Sequence, residues 1–187
     1  QGGWWTDIPT QTEAAKPSPR PAAAAAPQFE SGFGGFPFHF LPYASQAFLD
    51  GSLAHLPWLQ ELPDVLSTAM WTSWVEINPQ TAARFDITQG DLTEVTSSHG
   101  SLLAPALLSP GIAPDVIAMP VGQGHRTFTR YASGRGANPI GILAPLTEPE
   151  TGAIAWAATR VRIAKAGSSG DLILFSGGMR EHEHRHR

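Results

Sequence analysis

Apolar and polar positions alternate in short runs through the middle of the chain. WVEIN (74–78) and LTEVTS (92–97) both show the period of two expected of half-buried strands. Between them, Asn78-Pro79 supplies a cap residue and a proline pre-set for the first helical position, so a short helix is expected over roughly 79–85. Ala82, Ala83 and Phe85 would form its apolar face. Gly90-Asp91 turns the chain into the 92–97 strand, Ser98-His99-Gly100 makes the next turn, and 101–108 returns. Pro110-Gly111 then turns the chain into a strand at 115–119. Two late strands follow: 159–164, with Val161 and Ile163 opposite Arg160 and Arg162, and 171–175, a continuous apolar run.

FPFHFLPY (36–43) reads as an extended segment whose aromatics pack on the domain and whose prolines confine it to an edge. Flanking prolines limit PWLQELPD (57–64) to a short turn of helix. Glycines dominate 122–136, which suggests an irregular loop approached closely by something else. Trp74 is expected in the core, and the Phe36 segment against another subunit or domain. Many short strands with one or two small helices point to a mainly β fold, a closed barrel and not a doubly wound sheet.

Upstream, residues 9–31 are rich in Pro and Ala and poor in large apolar residues, the composition of a linker. The expected organisation is an N-terminal segment and Pro/Ala-rich linker over 1–32, a barrel over 33–176 and a charged, His-rich tail over 177–187. In that tail His182, His184 and His186 alternate, so an extended chain would present them together to a metal; a solvated charged terminus is the simpler reading. The start Gln1-Gly2-Gly3, without an initiator Met, reads as part of a longer polypeptide.

Composition narrows the function classes. Twelve basic against sixteen acidic side chains give a net charge of −4, so no basic surplus exists to neutralise nucleic-acid phosphates. With no cysteine, the chain itself has no disulfide, thiolate zinc site, cysteine nucleophile or cysteine-held iron-sulfur cluster. The longest stretch free of Asp, Glu, Lys and Arg, between Glu94 and Asp115, contains His99 and several prolines and does not read as a membrane span.

Candidate chemistry is sparse. Gly122-Gln123-Gly124-His125 lacks the third glycine and the strand-to-helix setting of a dinucleotide fingerprint. His125 reads equally as a loop histidine and as a ligand or partner contact, and His99 as a solvated turn residue. Asn78 is accounted for as an N-cap, a role compatible with recognition of a polar ligand. Arg126, Arg130 and Arg135 share one loop and could pair with phosphate, with carboxylates of a parent subunit, or with nothing, interface pairing being the expectation. No Ser, His and Asp set or carboxylate pair stands out, so no catalytic residue is expected.

The order WVEINPQTAARFDITQGDL (74–92), SSHGSLLAPALLSPGIAPDVIAMPVGQGH (97–125) and GRGANP (134–139) resembles the C-terminal dinucleotide-binding domain of the molybdopterin oxidoreductase family, a double-psi β-barrel. PWLQELPD makes the chain resemble most the large subunits of polysulfide and tetrathionate reductases and the related subunit of alternative complex III. The resemblance implies Asn78 at the guanine end of a molybdopterin guanine dinucleotide, Ser98, His99 and Gly100 after the first hairpin, and Gly122, Gln123, Gly124, His125 and Asn138 towards the pterin. Family members that hold the cofactor open the domain with a nucleotide-contacting Thr or Arg, where this chain has GGFPFHFLPYAS. The expectation is therefore a structural domain without molybdenum, its site residues vestigial, within a quinol-oxidising respiratory complex. The implied partners are the rest of the subunit, an iron-sulfur domain, a quinol-oxidising membrane subunit and haem c subunits, with iron-sulfur clusters and haem outside this chain. The implied place is the periplasmic side of the bacterial cytoplasmic membrane. The alternative is the cofactor-clasping domain of an active reductase.

Overall fold

A computed structural model describes Phe29 and residues 34–175, so the linker apart from Phe29, and the His-rich tail, lie outside the described residues. Six strands close into a barrel in the order β1 (Phe38–Ala44), β6 (Val116–Val121), β3 (Val75–Ile77), β5 (Gly100–Leu108), β4 (Leu92–Ser97) and β7 (Arg160–Gly167). The pairs β1·β6 and β3·β5 are parallel; the other four contacts are antiparallel. Exchanging β1, β3 and β4 with β5, β6 and β7 leaves every pairing and its sense unchanged. This internal two-fold, with two interlocked parallel pairs, is the arrangement of a double-psi β-barrel.

Alternation drives the closure. On β4 the pattern places Thr93, Val95 and Ser97 inward, and on β7 Val161 and Ile163 join them. The interior is filled by Phe38, Phe40, Val75, Ile77, Val95, Ile117, Met119 and Val161. Burying a side chain of this size contributes about 1.5–3 kcal/mol, so the barrel core dominates the stability.

Between β3 and β4, the helix α2 (Pro79–Arg84) starts as its sequence dictates. Asn78 is extended (φ −61°, ψ 136°) and its Oδ1 accepts from the Gln80 N–H at 2.9 Å. Among the described residues the other helical turns are α1 (Pro57–Glu61), α3 (Thr129–Ala132) and a 3₁₀ turn (Pro139–Ile142).

Three expectations are corrected. The Phe36 segment becomes β1, paired on both sides, with Phe38 and Phe40 inside the chain's own core. Pro42 is tolerated because β7 pairs only with Phe38 and His39, leaving that flank of β1 open further along. The 171–175 run shortens to β8 (Ile173–Leu174), which pairs with β2 (Ala69–Met70) outside the barrel and leaves Ile173 and Phe175 exposed. Arg160, expected opposite the core, is buried because its guanidinium donates to Phe36 O, Pro37 O and His39 Nε2.

Candidate functional site

Strand directions sort the candidate residues. Gly100 opens β5 and Val121 ends β6, and since β3 runs parallel to β5 and antiparallel to β6, both points lie at one end of the barrel. The 98–100 turn, the 122–125 loop and Asn138 therefore share a rim. Asn78 follows Ile77, the partner of Leu108 at the far end of β5. Strand rise separates the level of Ile77 from Gly100 by roughly 25 Å along β5 and from Gly122 by roughly 16 Å along β6.

At the rim, Ser97 Oγ donates to Ile142 O at 2.6 Å and accepts from the His99 N–H at 3.0 Å, fastening the exposed Ser98-His99 turn to the 3₁₀ turn. Asn138 caps that turn, its Oδ1 accepting from the Ile140 N–H at 3.0 Å, and remains exposed. The glycine-rich loop folds on itself: the Gly124 N–H donates to Arg135 O at 2.8 Å and the Gly134 N–H to His125 O at 2.9 Å. Gly124 has φ +90°, and a Cβ there would fall 2.2 Å from Asn138 N. At Gly136, with φ +61°, a Cβ would fall 2.7 Å from Ser73 Oγ. What approaches these glycines is the chain's own backbone and side chains.

Gln123 is buried, and its amide faces another that the sequence did not single out. Gln123 Nε2 donates to Gln60 Oε1 at 2.7 Å, and Gln60 Nε2 donates to Gln123 Oε1 at 3.3 Å and to Ala54 O at 2.8 Å. Gln60 is fully buried on the five-residue helix α1. No periodic signal marks a glutamine on so short a helix, so its role was illegible before the fold brought the two segments together. His125 Nε2 lies 3.0 Å from Gly51 O, and its ring centroid 4.9 Å from that of Phe128. At the far end, Asn78 Nδ2 donates to Ile112 O at 2.7 Å.

Several of the candidate side chains hydrogen-bond within the chain itself. Asn78, Gln123, His125 and Asn138 each commit polar atoms to this chain, and Asn138 and the Ser98-His99 turn are exposed at the rim. Arg135 Nε is buried with no acceptor, while its guanidinium carbon sits 4.3 Å from the Trp71 ring centroid. On the barrel wall nearby, Tyr43 OH donates to Glu76 Oε1 at 2.5 Å, and Trp74 Nε1 donates to the same oxygen at 3.3 Å. Burial, with the Glu76 carboxylate behind it, holds the Tyr43 phenol far above its ordinary range. Among the described residues no group of three or more His, Asp or Glu could hold a metal ion, and no helix is long and apolar enough to cross a membrane.

Comparison with known proteins agrees with this architecture. Residues 63–157 match the family described as Molydopterin dinucleotide binding domain. The chain is 36% identical over 93 residues to the molybdopterin-binding-like subunit of menaquinone reductase from Nitratidesulfovibrio vulgaris, covering 50% of this chain and 14% of that protein. It is 33% identical over 108 residues to the molybdopterin-containing subunit ArrA of arsenate respiratory reductase from Shewanella sp., covering 57% of this chain and 13% of that protein. Against the thiosulfate reductase subunit PhsA of Salmonella typhimurium it is 30% identical over 109 residues, covering 57% and 14%. Each match spans about a seventh of the relative's length. Acetylene hydratase from Pelobacter acetylenicus shares the fold with a TM-score of 0.55 at 14% identity, over 70% of this chain and 18% of that one. Motif order, barrel topology and family match agree: the chain belongs to the molybdopterin dinucleotide-binding domain family.

Proposed function

We propose that this chain is the dinucleotide-binding-type barrel of a large oxidoreductase subunit in a membrane-associated, quinol-oxidising respiratory complex of the alternative complex III kind. In it the barrel is structural and holds no molybdenum. One observation carries this reading: Gln60 and Gln123 satisfy each other's amides inside the barrel's neighbouring cavity, whereas the family resemblance implies that Gln123 would face a pterin. The resemblance to a subunit described as molybdopterin-binding-like, in a reductase named for menaquinone, supports a quinone-linked complex; the quinol-oxidising direction rests on the sequence resemblance to alternative complex III. The rest of the subunit, an iron-sulfur domain, haem c subunits and a quinol-oxidising membrane subunit are the partners, on the periplasmic side of the cytoplasmic membrane.

A second reading is favoured by the unpaired Arg135 Nε and by the relatives named as molybdopterin-containing: the domain clasps a molybdopterin guanine dinucleotide in an active reductase. Elemental and pterin analysis of the complex purified through this chain, with partner polypeptides identified by mass spectrometry, separates the two. Iron and haem without stoichiometric molybdenum or pterin is expected. Molybdenum and a guanine-bearing pterin near one per chain would overturn the structural reading and establish the second.

A further inference from the structure

An apolar cavity of about 450 Å³ opens beside the barrel, walled by Phe48, Leu59, Met70, Trp71, Trp74 and Pro120. Its two buried carboxamides, Gln60 and Gln123, are satisfied by each other and by Ala54 O, so the floor offers little to a polar ligand. Along its lip and the adjoining stretch, Trp58, Leu62, Val65 and Leu66 are 64%, 54%, 71% and 93% exposed. Four large apolar side chains exposed within nine positions next to an apolar cavity mark an interaction surface, whereas isolated ones would not. Trp71, at the mouth, is held in the left-handed region at φ +61°, which a bulky residue rarely adopts. Its N–H donates to Gln60 O at 3.1 Å and Arg135 stacks on its ring, so the cavity mouth is preset.

We infer that this cavity and its lip seat an apolar segment from another part of the same large subunit, outside residues 1–187. The inference rests on the reading that this chain is one domain of a large subunit. Length on the page supplies the occupant: the matched relatives carry about six-sevenths of their chain beyond the aligned region. Chemistry selects it, because apolar walls over a self-satisfied floor suit aliphatic and aromatic side chains and not a nucleotide.

The absence of cysteine makes the test clean within this segment. Val65→Cys reports on the lip, and Glu150→Cys, in the exposed turn at residues 148–152, is the control. Each variant is labelled with a maleimide in the intact complex and mapped by peptide mass spectrometry. Val65→Cys should react about tenfold more slowly than the control in the native complex and equally after denaturation. A maleimide–diazirine cross-linker at Val65→Cys should capture a peptide of the same polypeptide outside these 187 residues. Equal native labelling, or capture of a different subunit or a second copy, overturns the proposal. The intact mass of the polypeptide is read first: a chain of only these 187 residues would refute the large-subunit reading itself, whereas molybdenum in the same preparation would refute only the cofactor-free reading and leave the cross-link to stand or fall alone.

Discussion

Gln60 and Gln123, 63 positions apart, exchange hydrogen bonds in both directions and close the floor of the cavity beside the barrel. Truncating either leaves the other amide buried and unpaired. Gln60→Ala and Gln123→Ala should each destabilise the chain by about 1–3 kcal/mol. In urea unfolding the double variant should lose less than the summed single losses, because the second truncation removes the orphan created by the first.

Asp91 accepts from Lys165 at 2.8 Å and from the Thr88 N–H and hydroxyl at 2.7 and 2.8 Å. The Lys165 hydrogen bond, then those from Thr88, lower its pKa to about 2. A depressed carboxylate pKa gives stability that is present above the unfolded value of about 3.9 and lost as pH falls through the folded one. Acid unfolding should therefore steepen between about pH 4 and pH 2, and Asp91→Asn should flatten that limb of a melting-temperature profile. Lys165 is raised by the same pair, so its contribution persists below its unfolded pKa and fades as pH climbs through the folded one.

His39 faces Arg160 across the β1·β7 seam, with Asp115 the acidic group beside it. Burial first and the guanidinium second lower its pKa, Asp115 opposing them. Because the guanidinium stays protonated, His39 Nε2 must accept, which requires the neutral ring. Below an unfolded pKa of about 6.5 the unfolded chain binds more protons, so stability should decline as pH drops from there toward the folded value. His39→Gln should remove that slope, and an unchanged profile in the variant would contradict the assignment.

Gly124→Ala should cost about 3 kcal/mol or more, since a left-handed residue would also drive its Cβ into the Asn138 backbone. Gly134→Ala, with the same sign of φ but open space around it, should cost only about 1 kcal/mol. Thermal unfolding of the two variants compares them directly.

Asn138→Ala removes the cap of the 3₁₀ turn and should lower stability by about 1 kcal/mol. Under the structural reading, the assembled complex should keep its quinol-oxidising rate. A rate loss accompanied by loss of pterin would favour the cofactor-clasping reading.

The sequence by itself determined the local grammar. Alternation in 92–97, the Asn78-Pro79 cap and the turns at Gly90 and Ser98-His99 specify β4, α2 and the β4–β5 hairpin, because each depends on neighbours a few positions away. The ordered motifs also specified the family. The tertiary structure alone decided where polar side chains were used. The glycine-rich stretch 122–136 suggested close approach by something else, and in the folded chain Gln123, Gly124 and Gly136 meet Gln60, the Asn138 backbone and Ser73, all distant in sequence. It likewise placed β8 outside the barrel and buried Arg160 against β1, since closing six strands with an internal two-fold fixes which flank of each strand is covered. Periodicity reports which face of a strand is apolar; which partner arrives at a buried amide or a glycine is a property of long-range closure, and only the folded chain contains it.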